Sequence, residues 1–292
     1  MSFKYNQSNL PISEIIPKVK EEFVTRNTII IKAPTGAGKS TLLPLSLLEE
    51  KWLEGKRIIM LEPRRLAAKT VAIRMADMMG EQVGETVGYR IRFEQKISKK
   101  TRLEVVTEGI LTRLIHQDNS LEDTGLIIFD EFHERSIHAD LAMAFTKEIQ
   151  GVLRQDLRIL VMSATINMPE LALRLNAVEV QSEGRMYPVE VQYEGDSDWK
   201  ILPEMVCQVV KKAIKSQDGD VLVFLPGQSE IKKSQELLRR SLINFKIVPL
   251  YGQLSPSKQF AAIMPDSGGK RKVILATNIA ETSLTVQGVK IV

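Results

Sequence analysis

Cysteine is nearly absent from this sequence, since Cys207 is the only one among 292 residues. A single thiol excludes disulfide bonds within the chain and metal clusters held by several thiolates. Cys207 lies in the apolar helical pattern MVCQVV, so we expect it to pack in a core.

Long apolar runs are also missing. No run approaches the ~18 apolar residues needed to cross a bilayer. The start, MSFKYNQSNLPI, lacks the charged and then apolar layout of a signal peptide. We therefore expect no membrane association and a cytoplasmic location. Strong charge imbalance is absent too, because 40 basic and 36 acidic residues leave a net charge of +4. A charge of this size is compatible with nucleic acid binding but is not evidence for it.

The first half of the chain alternates short apolar strands with helical patterns. Strands are predicted at 27–31, 57–61, 102–106, 126–130 and 158–162, and helices at about 39–51, 63–79, 108–117, 137–153 and 169–175. Strands that are apolar on both faces and separated by helices predict an α/β fold, with a parallel sheet covered on both sides. Pro63 fits the first position of the second helix, and Pro169 begins the last.

The pattern restarts near residue 183, after which Gly184 and Pro188 interrupt the chain. Strands are predicted at 188–193, 220–225, 245–250, 272–276 and 289–292, with helices near 203–216 and 228–241. We therefore predict two α/β lobes, residues 1–182 and 183–292. Because the last residues, VKIV, resemble the opening of a buried strand, we expect the chain to be a piece of a longer protein.

A phosphate-binding loop is predicted at APTGAGKST, residues 33–41, directly after the first strand. Glycines there let backbone N–H groups turn toward phosphate oxygens, and the following helix adds its positive end. Lys39 would neutralise the β- and γ-phosphates and Ser40 would hold Mg²⁺. Ala33 stands where the usual pattern has Gly. The remaining nucleotide-binding candidates are Thr35, Gly36, Ala37, Gly38 and Thr41.

An acidic partner for this loop is predicted at GLIIFDE, where Asp130 and Glu131 follow an apolar strand. Asp130 suits Mg²⁺ or a metal-bound water, and Glu131 suits the group that orients and deprotonates attacking water. The alternative interpretation is that these two acids are ordinary acidic residues at the N-terminus of a helix. The presence of Lys39 in the phosphate-binding loop makes that interpretation much less favoured. His133 and His138 are five residues apart, which is wrong for one helical face and disfavours zinc. We expect His133 to link the carboxylates to the second lobe.

The ordered segments APTGAGKST, EPRRLAA (62–68), TEGIL (107–111), DEFH (130–133), SAT (163–165), VFLPG (223–227) and ATNIAETSLT (276–285) resemble motifs I, Ia, Ib, II, III, IV and V of the DEAH-box helicases of superfamily 2. P-loops of that superfamily often begin with Ala. The resemblance implies two RecA-like P-loop NTPase lobes, the second incomplete without motif VI. It further implies an ATP- or NTP-dependent RNA helicase that couples hydrolysis to translocation on single-stranded nucleic acid.

The resemblance also implies roles for single residues. Glu131, Asp130, Lys39 and His133 would be catalytic, and Ser40, Asp130 and Glu131 would hold Mg²⁺. Ser163 and Thr165 would couple nucleotide state to lobe movement. The residues expected along the nucleic acid backbone are Arg64, Arg65, Thr107, Gly227 and Thr277, whose small or basic groups fix position without reading sequence.

The base of the nucleotide is expected to lie between Arg74 and a second residue that aligns with Ile263. An aliphatic contact loses stacking energy and reads no base edge, so we predict weak discrimination among ATP, GTP, CTP and UTP.

Two alternatives stay open from the sequence, and one limit on activity is expected. The polymer could be DNA, since the motifs contact a backbone common to both nucleic acids. The fold could instead serve as a nucleotide-gated scaffold, although Glu131 argues against that role. Without the motif VI arginines, which in related phosphoryl transfer contribute on the order of 10³- to 10⁵-fold, hydrolysis by these residues alone would be slow.

Overall fold

The first half of the chain folds around a sheet whose strands are rich in Ile, Leu and Val. The computed structural model describes residues 10–164, 168–183, 188–195, 198–281 and 286–292. The strands are β1 (Thr28–Lys32), β2 (Arg57–Leu61), β3 (Val87–Ile91), β4 (Glu94–Lys96), β5 (Leu103–Val106), β6 (Thr124–Phe129), β7 (Arg158–Ser163) and β8 (Val178–Gln181). The helices are α1 (Ile16–Thr25), α2 (Leu42–Ser46), α3 (Arg65–Met79), α4 (Glu108–Gln117), α5 (Ile137–Val152) and α6 (Met168–Leu175), with short 3-10 helices at Pro11–Glu14, Lys51–Leu53 and Phe132–Glu134.

The strand order of this sheet is β4-β3-β5-β2-β6-β7-β1-β8. Its pairs are parallel except that β4 runs antiparallel to β3 at one edge. Because β6, β7 and β1 are consecutive neighbours, the loops that follow them emerge at the same edge of the sheet.

Successive residues of each central strand enter two different cores. On β2, Ile58 and Met60 pack into the core that contains residues of α1, α2 and α3. Ile59 and Leu61 pack into the core that contains residues of α4, α5 and α6. Side chains alternate between the faces of a strand, so both faces are covered by helices, as predicted.

The second half of the chain forms a smaller parallel sheet of order β10-β11-β9-β12. Its strands are β9 (Asp220–Phe224), β10 (Lys246–Leu250), β11 (Lys272–Ala276) and β12 (Val289–Ile291), and its helices are α7 (Leu202–Ser216), α8 (Gln228–Ser241) and α9 (Pro256–Ile263), with 3-10 helices at Trp199–Ile201 and Asn278–Ala280. Cys207 is buried in this core, which confirms its predicted packing role. The chain divides into two compact units between Tyr187 and Pro188.

Three details of the predicted elements are wrong, although a helix is present at two of the three places. The helix expected at 39–51 is reduced to the five residues of α2, because the preceding loop holds non-helical backbone up to Thr41. Pro63 is not the first residue of α3, since Arg64 is still extended (φ −108°, ψ 129°) and the helix begins at Arg65. The segment 188–193 is not a strand, and its side chains Val189, Val191 and Tyr193 are exposed.

Among the α-helices and strands of the described residues, five lie outside the predicted set: α1, β3, β4, β8 and α9. The strands among them interrupt the apolar pattern with charged or small residues. For example, β3 reads VGYRI and β8 reads VEVQ. Both lie toward the margins of the sheet, since β8 is its last strand and β3 is separated from the other edge only by the short strand β4, and continuous apolar character is not required there.

Candidate functional site

The loop between β1 and α2 wraps as a phosphate cradle requires. Gly36 (φ +79°) and Gly38 (φ +92°) both adopt the left-handed backbone region that glycine enters without a steric penalty. The segment before α1 supports the loop from behind, because the Ile12 N–H donates a 3.0 Å hydrogen bond to the Ala37 carbonyl. A Cβ on Gly38 would lie 2.8 Å from Leu10 Cδ1. The loop is therefore fixed in shape by packing as well as by its glycines.

The candidate loop residues differ in exposure. Thr35 and Gly36 are exposed, while Ala37 and Lys39 are buried. Gly38, Ser40 and Thr41 are half-buried. Ala33 is fully buried in the core, and its N–H donates to the Ser163 carbonyl at the end of β7 (3.1 Å).

Lys39 and Glu131 form a buried ion pair across the edge of the sheet. Lys39 Nζ lies 2.7 Å from Glu131 Oε1, and the two side chains are 3% and 5% exposed. The residues are 92 positions apart in the sequence, so the order of β6, β7 and β1 brings them together. The predicted loop and the predicted acidic partner thus meet at one place.

Glu131 has an unusual backbone. Its φ of +49° and ψ of 37° fall in the left-handed region, which costs a non-glycine residue roughly 1–3 kcal/mol. The following 3-10 helix, Phe132–Glu134, begins from this turn. Strain of this kind persists where the surrounding structure holds it, and here it accompanies the Glu131 carboxylate that contacts Lys39.

Asp130 is buried beside this pair. Its Oδ1 accepts a 2.9 Å hydrogen bond from the Glu131 N–H, whereas its Oδ2 is buried and has no hydrogen-bond partner among the residues that the structure describes. Burial, and then the charge of Glu131, raise the pKa of Asp130 to about 6, against the opposing effects of Lys39 and a hydrogen bond from Ser40. The Ser40 hydroxyl and the Asp130 carboxylate are therefore adjacent.

These oxygen atoms fit a magnesium ion. Mg²⁺ prefers hard oxygen ligands and is commonly held by one or two carboxylates together with substrate phosphates. The Asp130 carboxylate, whose Oδ2 has no hydrogen-bond partner among the described residues, and the neighbouring Ser40 hydroxyl supply oxygen ligands of this kind. No cluster of three or more His, Cys, Asp or Glu suited to a metal occurs among the residues that the structure describes.

Glu62 is a member of the site that sequence reasoning missed. It directly follows β2 and is 1% exposed, and its buried Oε1 has no hydrogen-bond partner within the described ranges. Burial is the first cause that raises its pKa well above the usual value, followed by the negative charges of Asp130, Glu131 and Glu134 and opposed by Lys39. An acid directly after an apolar strand was the available signal, the same one that identified Asp130.

His133 lies next to Glu131. Its Nδ1 is 3.3 Å from Glu131 Oε2, but the two atoms lack hydrogen-bond geometry, and no other described residue forms a hydrogen bond with Nδ1. The His133 side chain is 22% exposed. His138 is exposed on α5.

The first-lobe candidates for nucleic acid contact lie at the ends of neighbouring strands. Arg64 precedes α3 and Arg65 begins it, while Thr107 precedes α4. Because Leu61 and Val106 are in register on β2 and β5, the two helix starts emerge side by side. Arg64 pairs with Glu134 at 3.2 Å, and Arg65 is exposed.

The second lobe repeats this arrangement within its own sheet. Gly227 precedes α8 and Thr277 follows β11. Phe224 and Ala276 are in register on the neighbouring strands β9 and β11, so the two candidates lie at one edge of this sheet. Both residues are half-buried.

The remaining candidates are less informative. Ser163 is fully buried at the end of β7, and Thr165 lies outside the described residues. Arg74 is exposed on α3. Ile263 is 2% exposed at the end of α9, which leaves Arg74 as the exposed member of the predicted base-binding pair.

Comparison with known proteins agrees with this geometry. Residues 13–173 match the family model described as DEAD/DEAH box helicase, and residues 202–292 match the helicase conserved C-terminal domain. The chain belongs to the DEAD/DEAH box helicase family. As in the sequence prediction, the two lobes of this helicase chain are RecA-like α/β domains.

Several helicases of this family are similar to the chain over nearly its whole length. It is 46% identical over 287 residues to the ATP-dependent RNA helicase HrpB of Escherichia coli, covering 98% of this chain and 35% of that protein. It is 37% identical over 292 residues to the ATP-dependent RNA helicase HrpA of Escherichia coli, covering 97% of this chain and 22% of that protein. A crystal structure of Escherichia coli HrpB superposes with a TM-score of 0.84 at 45% identity, over 97% of this chain and 36% of that one. The chain thus spans about a third or less of these relatives.

No helix in the described part of the chain combines the length and the apolar character that a membrane crossing requires.

Proposed function

We propose that these two lobes bind and hydrolyse nucleoside triphosphates as part of an RNA helicase. The observation that carries the proposal is the buried contact of Lys39 with Glu131 (2.7 Å), beside the adjacent Ser40 and Asp130. The site therefore combines a phosphate-binding loop, the Lys39 cation, the Ser40 and Asp130 oxygens that suit a metal, and Glu131 as a proton acceptor. The names of the relatives HrpB and HrpA point to ATP as the nucleotide and RNA as the polymer.

Nucleotide binding exchanges the partner of Lys39. A polyphosphate in the loop receives hydrogen bonds from backbone N–H groups and attracts the Lys39 ammonium. Glu131 then loses its cation and becomes free to accept a proton from an attacking water. The ion pair is therefore a resting arrangement that the nucleotide itself opens.

Mg²⁺ would be held by Ser40 and Asp130, and when bound it would neutralise charge that develops on the phosphate oxygens. Glu131 pairs with Lys39 before nucleotide binds. After that pair opens, Glu131 serves as proton acceptor in preference to the metal-ligand role expected from its motif. His133 beside Glu131 and Ser163 at the end of β7 link the site to the movement of the lobes.

Single-stranded RNA would be bound through its backbone in both lobes. Helix N-termini present free N–H groups that favour phosphates, and Arg64, Arg65 and Thr107 stand at two such ends. Gly227 and Thr277 provide the matching pair in the second lobe. Binding of this kind is insensitive to base sequence and weakens with salt.

Base selectivity is expected to be weak, with GTP, CTP and UTP accepted beside ATP. The exposed Arg74 can stack on any base, since every base has a π-face. Hydrolysis rates measured for the four nucleotides at equal concentration would contradict this part of the proposal if ATP were strongly preferred over the other three.

Turnover by the Glu131→Gln variant tests the catalytic proposal. Removal of a positioned general base typically costs about 10²- to 10⁴-fold in rate, so we expect NTP hydrolysis by the variant to fall by at least two orders of magnitude below the unsubstituted chain. Nucleotide affinity should be retained. The matched control is Glu94→Gln, because Glu94 lies on β4 and pairs with Lys69 and Tyr89 away from the loop.

The same assay discriminates among the alternatives. Equal residual rates in the unsubstituted chain and Glu131→Gln would support a nucleotide-gated scaffold in place of an enzyme. Stimulation by single-stranded DNA equal to that by RNA would support a translocase without preference for the 2′-hydroxyl.

A further inference from the structure

Glu62 and Asp130 are direct neighbours across two strands. Leu61 on β2 is in register with Phe129 on β6, and the Asp130 N–H donates a 3.0 Å hydrogen bond to the Leu61 carbonyl. The residue that follows Leu61 therefore runs beside the residue that follows Phe129. Those two residues are Glu62 and Asp130.

The two acids also point to the same face of the sheet. Leu61 and Phe129 pack into one core, whereas the preceding residues Met60 and Ile128 pack into the other. Since side chains alternate along a strand, Glu62 and Asp130 share the face of Met60 and Ile128. That core also contains Ala37 of the phosphate-binding loop.

Glu62 has an unmet hydrogen-bonding demand. It is 1% exposed, and its Oε1 has no hydrogen-bond partner in the described part of the chain, although buried polar groups are almost always hydrogen-bonded. Glu104, a second buried carboxylate of this sheet whose Oε1 also lacks a hydrogen bond in the described structure, differs in that it forms ion pairs with Arg90 at 2.7 Å and with Arg57. Among the described residues no cation forms an ion pair with Glu62. Asp130 Oδ2, on the same face, is unpartnered as well.

A hydrated cation beside Asp130 would meet both demands at once. Mg²⁺ usually keeps several of its water molecules when a protein binds it. Such waters are strong donors that need acceptors in a buried site. Groups that hydrogen-bond to the surroundings of a metal typically change its affinity by about 10- to 100-fold when they are removed.

We propose that Glu62 is a positioning residue of the nucleotide site, accepting a hydrogen bond from a water of the Mg²⁺ ion that Asp130 holds. The assignment rests on the proposed function. Glu62 contributes through the acceptor that it places beside Asp130. It does not touch the reacting phosphate.

The test measures the Mg²⁺ concentration that half-saturates binding of a fluorescent ADP analogue to the 292-residue chain. Glu62→Leu is expected to need about 10- to 100-fold more Mg²⁺, with the affinity for the analogue in EDTA unchanged. Glu62→Gln keeps a carbonyl acceptor of similar reach, so its Mg²⁺ requirement should stay close to that of the unsubstituted chain.

Thermal melting and a charge control separate positioning from other roles. Replacing a buried charged group by a leucine of similar volume is often neutral or stabilising, so the Tm of Glu62→Leu should not fall. A lowered Tm with an unchanged Mg²⁺ requirement would mean a purely structural role. Glu134→Gln removes a nearby negative charge that also acts on Glu62. An equal increase in the Mg²⁺ requirement for Glu134→Gln and Glu62→Leu would reduce the effect to general electrostatics and overturn the assignment.

Failure of the proposed function gives a different result. If the unsubstituted chain binds no nucleotide analogue, or binds it equally well with Mg²⁺ and EDTA, the proposed function is overturned and the Glu62 assignment with it. If the unsubstituted chain depends on Mg²⁺ and Glu62→Leu depends on it equally, the Glu62 assignment alone is wrong.

Discussion

Loss of Lys39 is expected to destabilise the first lobe more than loss of its partner Glu131. At 2.7 Å the attraction between the two charges is about 6 kcal/mol for an effective dielectric constant of about 20. Desolvation of both ions offsets much of it, and removal of one member of a buried pair typically costs about 3–5 kcal/mol. The charge of Lys39 also opposes the rise in the pKa of Asp130 and of Glu62. Its removal therefore leaves the buried carboxyl groups of Glu131, Asp130 and Glu62 without the cation beside them.

The two single variants should therefore differ. Lys39→Met is expected to lower the free energy of unfolding by about 3–5 kcal/mol. Glu131→Gln leaves Lys39 beside Asp130 and removes the negative charge that helps to raise the pKa of Asp130, so its cost should be no more than about 1–2 kcal/mol. In the Lys39→Met background, Glu131→Gln removes an uncompensated charge and should raise stability.

Tryptophan fluorescence can report this lobe alone. The chain has two tryptophans, and a Trp199→Phe background leaves Trp52, whose ring packs against Phe23 at 5.2 Å. Melting in EDTA without nucleotide should show Lys39→Met roughly 6–20 °C lower, at about 2–4 °C per kcal/mol for a domain of this size. If Glu131→Gln lowers the Tm of Lys39→Met further, the assigned charge balance is wrong.

Two other predictions follow from single residues. A hydrogen bond from Arg154 is the main cause that lowers the pKa of Asp156, so its stabilising effect is present above the unfolded pKa of about 4 and is lost as pH falls further. Because Asp156 is 51% exposed, Asp156→Asn should cost at most about 1 kcal/mol in urea-induced unfolding at pH 7, and a cost that grows as the pH is lowered from 5 would contradict the sign of this effect. Gly38→Ala places a Cβ 2.8 Å from Leu10 at a φ of +92°. We expect this variant to lower the free energy of unfolding by about 1–3 kcal/mol and to lose most of its affinity for nucleotide. Gly109→Ala, which meets no atom within 4 Å in α4, should be neutral or stabilising, and equal losses would refute the steric argument.

Much of the strand pattern was accessible from the sequence. The bounds of β2 and β11 match the predicted runs, and α4 and α8 match the predicted helices. The prediction succeeds for those segments because buried parallel strands are continuously apolar and the helices between them have periodic apolar residues. The local sequence is therefore sufficient to identify them. Strands toward one margin of the sheet such as β3 and β4 fail the same test, since they form by pairing with neighbouring strands while their own sequences are not continuously apolar.

For the candidate site too, some features were predictable from the local sequence and others depended on the tertiary structure. Residue types and their order were sufficient to predict that Lys39, Asp130 and Glu131 act together, because each follows or begins an element in a recognisable pattern. The buried 2.7 Å contact between Lys39 and Glu131, the pKa of Asp130 near 6, and the entry of Glu62 into the site were decided by the tertiary structure. Each depends on which strands are neighbours and on how much water they exclude. Those two quantities arise from pairing between residues far apart in the chain.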